Sequence, residues 1–210
     1  MGDVMPDNQQ HSYCFYKHRI AKILTIILLL IPLWIASSTY AQDCGIADSI
    51  QYPVDTNNFT LVQDFAISSP RHQGRYHTGE DWYGGRNQSY GQPISAAARG
   101  RVTYSYPLGW GRDGGVVIIE HIFTDGTVAY TQYGHMEENT MYRFPALNSC
   151  VEIGQIIGVI TDARPAPHLH FEFRVSNPDT PGPGYTWYVP QSGVFLDPKT
   201  FITTMQARLK

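Results

Sequence analysis

Four histidines and one aspartate carry the chemistry legible in this sequence. In PHLHFEFRV (167–175), alternation puts His168, His170, Glu172 and Arg174 on one face of an extended strand, with Leu169, Phe171, Phe173 and Val175 on the other. Two residues along a strand span about 6.6 Å. Two imidazoles so placed can share a metal ion, or one can ligate while its neighbour moves protons. In YHTGEDW (76–82), His77 and Asp81 are four apart. A helical turn would align them, and a tight loop through Gly79 could also aim both at one point. Imidazole with carboxylate suits a divalent ion such as Zn²⁺. In YGHM (133–136), His135 follows a glycine at the end of a strand. Singly, each motif reads more simply as a polar strand face, a surface loop or a structural histidine. Together they offer three ligands and two spare imidazoles. A hydrolytic zinc site uses three protein ligands and an open position for water. Free imidazoles can take the water proton, steady an oxyanion and protonate a leaving amine. Spacing alone leaves open whether His168 or His170 is the ligand.

The elements that must position these residues are β-strands. The chain has 210 residues, 42% of them apolar, enough for one domain with a real core. Its 19 glycines, 14 prolines and 14 tyrosines, with little helical periodicity, point to a β-rich fold. Strands are expected at 101–106, 116–123, 127–136 and 168–175, with Asp125-Gly126 as a hairpin turn. VEIGQIIGVI (151–160) reads as a strand pair or a bent strand. Residues 176–185, rich in Pro and Gly, read as loop. A short helix is expected after Asp197-Pro198, where Asp can cap and Pro can open the first turn. The organisation expected is a leader at 1–41, a loosely structured lead-in at 42–59 and one antiparallel β domain at 60–205.

The leader has the character of an export signal. Lys17, Arg19 and Lys22 precede an apolar run, 23–36, and Thr39-Tyr40-Ala41 forms a small-x-Ala exit. The run is short for a span, which needs about 20 apolar residues. A cleaved signal is the expectation and a retained anchor the alternative. The protein is then secreted or periplasmic, touching membrane only through this segment. In an oxidising compartment Cys44 and Cys150 are an even pair, expected to form a disulfide. A net charge of −3 with no basic stripe argues against a nucleic-acid partner.

The ordered set HTGEDW, PISAAARGRVTYS, VVIIEH, YGHM, VEIGQIIGVI, HLHFEFR and FLDPKTFI resembles the lysostaphin-type, or LytM-like, zinc metallopeptidases, which cut peptide bonds in bacterial peptidoglycan. The resemblance runs from about Phe65 to Phe201. It implies a mainly β fold: a small antiparallel β-sheet domain with a loop-walled groove, of the duplicated hybrid-motif type. It also implies Zn²⁺ held by His77, Asp81 and His170, with His135 and His168 as the catalytic imidazoles. Glu172 and His121 are left as structural residues or supports for a ligand. Met136 and the segment TDARPAP (161–167) depart from the family pattern, and the second borders the groove. Groove walls are expected at 70–75, 108–115, 136–149 and 176–188. Trp82, Tyr83, Trp110 and Trp187 are wall candidates, though filling core or covering the sheet is the simpler role for each. The function implied is that of an exported, monomeric zinc endopeptidase acting on peptidoglycan peptide stems. The rival is a non-enzymatic wall-binding or hydrolase-activating module of the same fold.

Overall fold

The computed structural model describes residues 43–176, 179–190 and 193–210. The leader, with Cys14, His11 and His18, lies outside the described residues. Among the described residues thirteen short strands form two antiparallel sheets. The larger contains β1 (Thr60–Gln63), β4 (Glu80–Tyr83), β5 (Pro93–Ser95), β6 (Gly100–Tyr106), β7 (Gly115–Ile122), β8 (Val128–Glu137), β9 (Cys150–Val151), β10 (Ile156–Ile160), β11 (Leu169–Arg174) and β13 (Phe195–Leu196). Its main order is β1-β4-β11-β8-β7-β6-β9; β10 joins β8 to β5, and β13 pairs with β11. The smaller sheet has the order β12-β3-β2, from Tyr185–Thr186, Arg75–His77 and Ser68–Ser69.

The strand expected around the paired histidines becomes β11, hydrogen-bonded to β4 on one side and β8 on the other. Leu169, Phe171 and Phe173 enter the core, as alternation requires, while Val175 beyond the strand end is 39% exposed. The opposite face is also buried: His170, Glu172 and Arg174 are at most 3% exposed. Residues 179–184 cover it, with Arg174 donating to the Thr180 carbonyl at 3.0 Å and Gly182 N–H donating to Gln132.

Segment 151–160 is neither a pair nor one bent strand. β9 pairs with β6, and β10 with β5 and β8. The Asp125-Gly126 turn forms with Gly126 at φ 81°, where a side chain would be strained. The closing helix, α1, spans Pro198–Arg208; Asp197 caps it by accepting from Thr200 N–H at 3.1 Å. Its Ile202 and Met205 bury against the sheet, and Phe201 packs on Phe173 with ring centres 4.7 Å apart.

Residues 43–59 form no named strand, yet Ala47, Ile50 and Phe59 are core residues and Tyr52 meets Trp82 edge-on at 5.1 Å. Ala47 also bridges Phe123. Cys44 is bonded to Cys150, closing a loop across 106 positions of sequence. Chain-entropy reasoning gives such a closure a stabilising effect of about 2–5 kcal/mol. Reduction should therefore lower the unfolding free energy by about that amount, read as a shift of the denaturation midpoint with and without reductant. Identical midpoints would show that burial alone holds residues 43–59 in place.

Candidate metal centre and active site

One rung of the larger sheet supplies most of the site. Asp81 on β4 stands opposite His170 on β11, and Gly134 on β8 stands opposite His170 on the other side. Directly opposed residues lie about 5 Å apart at Cβ, close enough for a carboxylate and an imidazole to meet. His77 arrives from β3 in the smaller sheet. The chain turns at Thr78-Gly79 between β3 and β4, so the four-residue spacing is that of a kinked strand, not a helical turn. Gly79 is required there, because a Cβ would sit 2.4 Å from the Phe171 carbonyl oxygen.

His77 Nε2 lies 2.9 Å from His170 Nδ1, and each lies 3.1 Å from Asp81 Oδ1. The far nitrogens fix the tautomers. His77 Nδ1 faces the Asp64 carbonyl at 3.3 Å, and His170 Nε2 faces Glu172 Oε2 at 3.2 Å. Both are acceptors, so a proton on each far nitrogen leaves the near nitrogen's lone pair facing the triad whenever the ring is neutral. With both rings neutral, two lone pairs and a carboxylate oxygen converge there. That arrangement is repulsive unless a cation stands among them. Donors about 2.0–2.1 Å from a tetrahedral ion lie about 3.3 Å from one another. The observed triangle is close to that, and two imidazoles with a carboxylate are a donor set suited to Zn²⁺. The residues fit the ion.

The electrostatics agree. Burial opposes charge on His170, but hydrogen bonds to the Asp81 and Glu172 carboxylates push it up to about 9. Burial likewise works against the Asp81 carboxylate, yet the His77, His170 and His168 rings hold it well below its usual range. The pocket favours positive charge at its centre. Glu172 serves both arms of the site, accepting from His170 and from the Thr78 hydroxyl beside His77. Its own buried charge faces Arg174, 3.3 Å away.

The two other histidines flank this triad. Between Gly115/Met136 and Val117/Tyr133 the β7–β8 register slips, two residues of β7 facing three of β8. This bulge contains His135 at φ 58°, a left-handed conformation uncommon outside glycine. Regular alternation would send His135 into the core beside Tyr133. The bulge sends Met136 there instead and turns His135 toward the groove. His135 donates from Nδ1 to the Asp113 carbonyl at 2.7 Å, and His168 from Nδ1 to the Ala166 carbonyl at 2.7 Å. Each ring therefore keeps a bare Nε2. The rings are 4.4 Å apart, and His168 Nε2 is 3.6 Å from Asp81 Oδ2. Burial, with His168 nearby, pushes His135 down to about 3, so it is neutral at physiological pH.

Asp81, His135, His168 and His170 line one groove of about 1200 Å³, and His77 is fully buried against Asp81 and His170. Its walls include Arg71, His72 and Arg75, then Gly109, Trp110 and Asp113, then Pro181 to Tyr185, as expected from three of the four loops. The fourth, 136–149, contributes no lining residue. Arg164, Pro165 and Ala166 line the groove, as expected of segment 161–167. Tyr83 and Trp110 line the groove, Trp82 is in the core, and Trp187 lies outside, 62% exposed. Trp110 occupies the space that Gly134 leaves bare, where a Cβ would be 2.1 Å from its ring, and it touches both His135 and His170. Its ring and that of Tyr185, 4.9 Å from His77, are contacts that no spacing rule disclosed. His121 is buried 2.7 Å from Thr131 Oγ1 in a separate network with Tyr133 and does not reach the site.

An antiparallel β domain with an imidazole–carboxylate triad under a loop-walled groove defines a LytM-like metallopeptidase domain. The profile of Peptidase family M23 matches residues 75–181, and the chain belongs to that family, which is of the peptidoglycan-hydrolase type. The solution structure of lysostaphin is similar at 22% identity with a TM-score of 0.52, over 73% of this chain and 54% of that one. The chain thus spans about half of lysostaphin's length. The catalytic domain of the antimicrobial peptidase lysostaphin from Staphylococcus simulans is similar at 22% identity and TM-score 0.50, over 70% of this chain and 94% of that domain. CbpA from L. salivarius REN is similar at 18% identity and TM-score 0.50, over 77% and 99% of the two chains. At these identities the likeness is one of fold. A comparison with curated protein sequences gave no match.

A proton on His170 competes with a cation for Nδ1. Affinity for a divalent ion should therefore fall about tenfold per pH unit below about 9, with about one proton released on binding near neutral pH. Titration calorimetry in buffers of different ionisation enthalpy measures that proton. No buffer dependence would contradict the assignment of the proton to His170.

Proposed function

We propose that the protein is an exported zinc endopeptidase that hydrolyses peptide crosslinks of bacterial cell-wall peptidoglycan. His77, Asp81 and His170 would hold Zn²⁺, while His135 and His168 would handle protons. The observation that carries this reading is the convergence of two imidazole nitrogens and a carboxylate oxygen within 3.1 Å, with two further imidazoles beside them. Bound there, Zn²⁺ supplies Lewis acidity, lowering the pKa of water toward 7 and polarising the scissile carbonyl.

The chain's own residues do the rest. The groove holds the peptide extended across the edge of the β4-β11-β8 rung, with the amide carbon between the triad and the two free histidines. His135, held neutral by burial, accepts the proton of the attacking water at Nε2. His168, once its bare Nε2 takes up a proton, would steady the oxyanion as the carbonyl becomes tetrahedral. The proton on His135 then passes to the leaving amine. Asp113 and Ala166 act through their carbonyls, which accept from Nδ1–H and so orient both rings with Nε2 as the reacting nitrogen.

Export is part of the proposal and rests on the leader and on the disulfide, which suits an oxidising compartment. Among the described residues no helix is long and apolar enough to cross a membrane. The rival, a non-enzymatic wall-binding or activating module, has in its favour only that the fold can serve without chemistry. All five positions are filled here.

His170→Ala should abolish both zinc binding and hydrolysis. His168→Ala should retain zinc and lose about 100- to 10,000-fold in turnover. Metal analysis with digestion of purified sacculi reads both. Equal zinc loss in the two variants would overturn the division of roles, and zinc-replete protein releasing no peptides would favour the rival.

A further inference from the structure

The groove is not electrically neutral. Arg71 and Arg75 both line it at the end formed by β2, β3 and the turn between them. Among the described residues neither pairs with a carboxylate. Among the described residues the Arg71 guanidinium has no hydrogen-bond or ion-pair partner. Arg75 spends only its Nε–H, on the His72 carbonyl at 3.0 Å, and its guanidinium lies over the Trp187 ring at 5.4 Å. The other arginine of the groove, Arg164, is bound to Asp113 at 2.6 Å. Two uncompensated cations at one end therefore belong to a chain whose net charge is −3.

That end is close to the reacting centre. The His72 ring stacks on Tyr185 at 3.6 Å, and Tyr185 lies 4.9 Å from the His77 ring. The arginine turn is thus within two or three residues of an extended peptide, at about 3.3 Å per residue. The Arg75–Trp187 contact and the Nε bond limit Arg75 to a narrow range of positions with its terminal nitrogens free, a fork that suits a carboxylate.

We infer that Arg71 and Arg75 form a carboxylate subsite, so that the preferred substrate is a crosslink carrying a free carboxylate near the scissile bond. A crosslink through a diamino dicarboxylic acid has such a group, whereas a neutral oligoglycine bridge has none. This deepens the peptidase reading above and rests on it.

The test uses the zinc-loaded protein and crosslinked peptides identical but for a free or amidated side carboxyl, with an oligoglycine-bridged peptide as a third. The free acid should be cleaved with a kcat/KM about tenfold above the amide. The ratio should shrink with added salt and approach one in Arg71→Gln and in the Arg71→Gln/Arg75→Gln pair. Arg71→Gln removes no hydrogen bond or ion pair among the described residues, and its unchanged denaturation midpoint serves as the folding control. A wild-type ratio near one, preference for the oligoglycine bridge, or a ratio preserved in the variants would overturn the inference. Should no peptide be cut, the peptidase reading fails, and binding titrations with the same peptides still decide this one. Tighter binding of the free acid, lost in Arg71→Gln, supports the subsite, and equal binding removes it.

Discussion

The site is organised by a repulsion. Two imidazole nitrogens whose far sides face acceptors, and one carboxylate oxygen, are held about 3 Å apart in a buried pocket. Such a cluster is costly unless positive charge sits among the three atoms. A proton on His170 meets the need partly, and a divalent ion meets it fully. Much of the surrounding structure holds this cluster together against its own electrostatics.

β11 is the means. As a strand hydrogen-bonded on both sides, it cannot shift without breaking the pairs to β4 and β8, so the His170–Asp81 rung is fixed. Glu172, one step along the same face, reaches Thr78 and so ties the chain beside His77 to the strand bearing His170. Gly79 lets the two backbones approach, and Gly134 admits Trp110 against the sheet. The flanking histidines are held differently, by backbone carbonyls on separate loops. The Arg164–Asp113 ion pair joins those loops across the groove. The triad is thus set by the sheet, and the proton-handling pair by the walls.

Much of this was legible in sequence where a period or a chemical type dictated it. Alternation in 167–175 gave the faces of β11, the Asp125-Gly126 turn gave the β7–β8 hairpin, and Asp197-Pro198 gave the start of α1. The metal set and its separation from His168 came from the family resemblance, since spacing could not tell two histidines on one strand face apart. What stayed hidden depended on local irregularity or on contacts distant in sequence. The bulge that redirects His135 reverses the parity a regular strand would have. The covering of the polar face of β11 by residues 179–184 depends on a loop with no periodic signal. That 161–167 borders the groove was read from the resemblance, whereas the absence of 136–149 from the wall depends on how that loop packs, which its pattern does not encode. The packing of residues 43–59 follows from scattered apolar residues, too few for a period to register.

The most direct measurement is a crystal structure of the zinc-loaded protein with diffraction recorded on both sides of the zinc absorption edge. The account predicts one anomalous peak, contacted by His77 Nε2, Asp81 Oδ1 and His170 Nδ1, with its remaining position open to the groove and neither His135 nor His168 bonded to it. A peak held by His168 or His135, or density only at sites outside the groove, would contradict it.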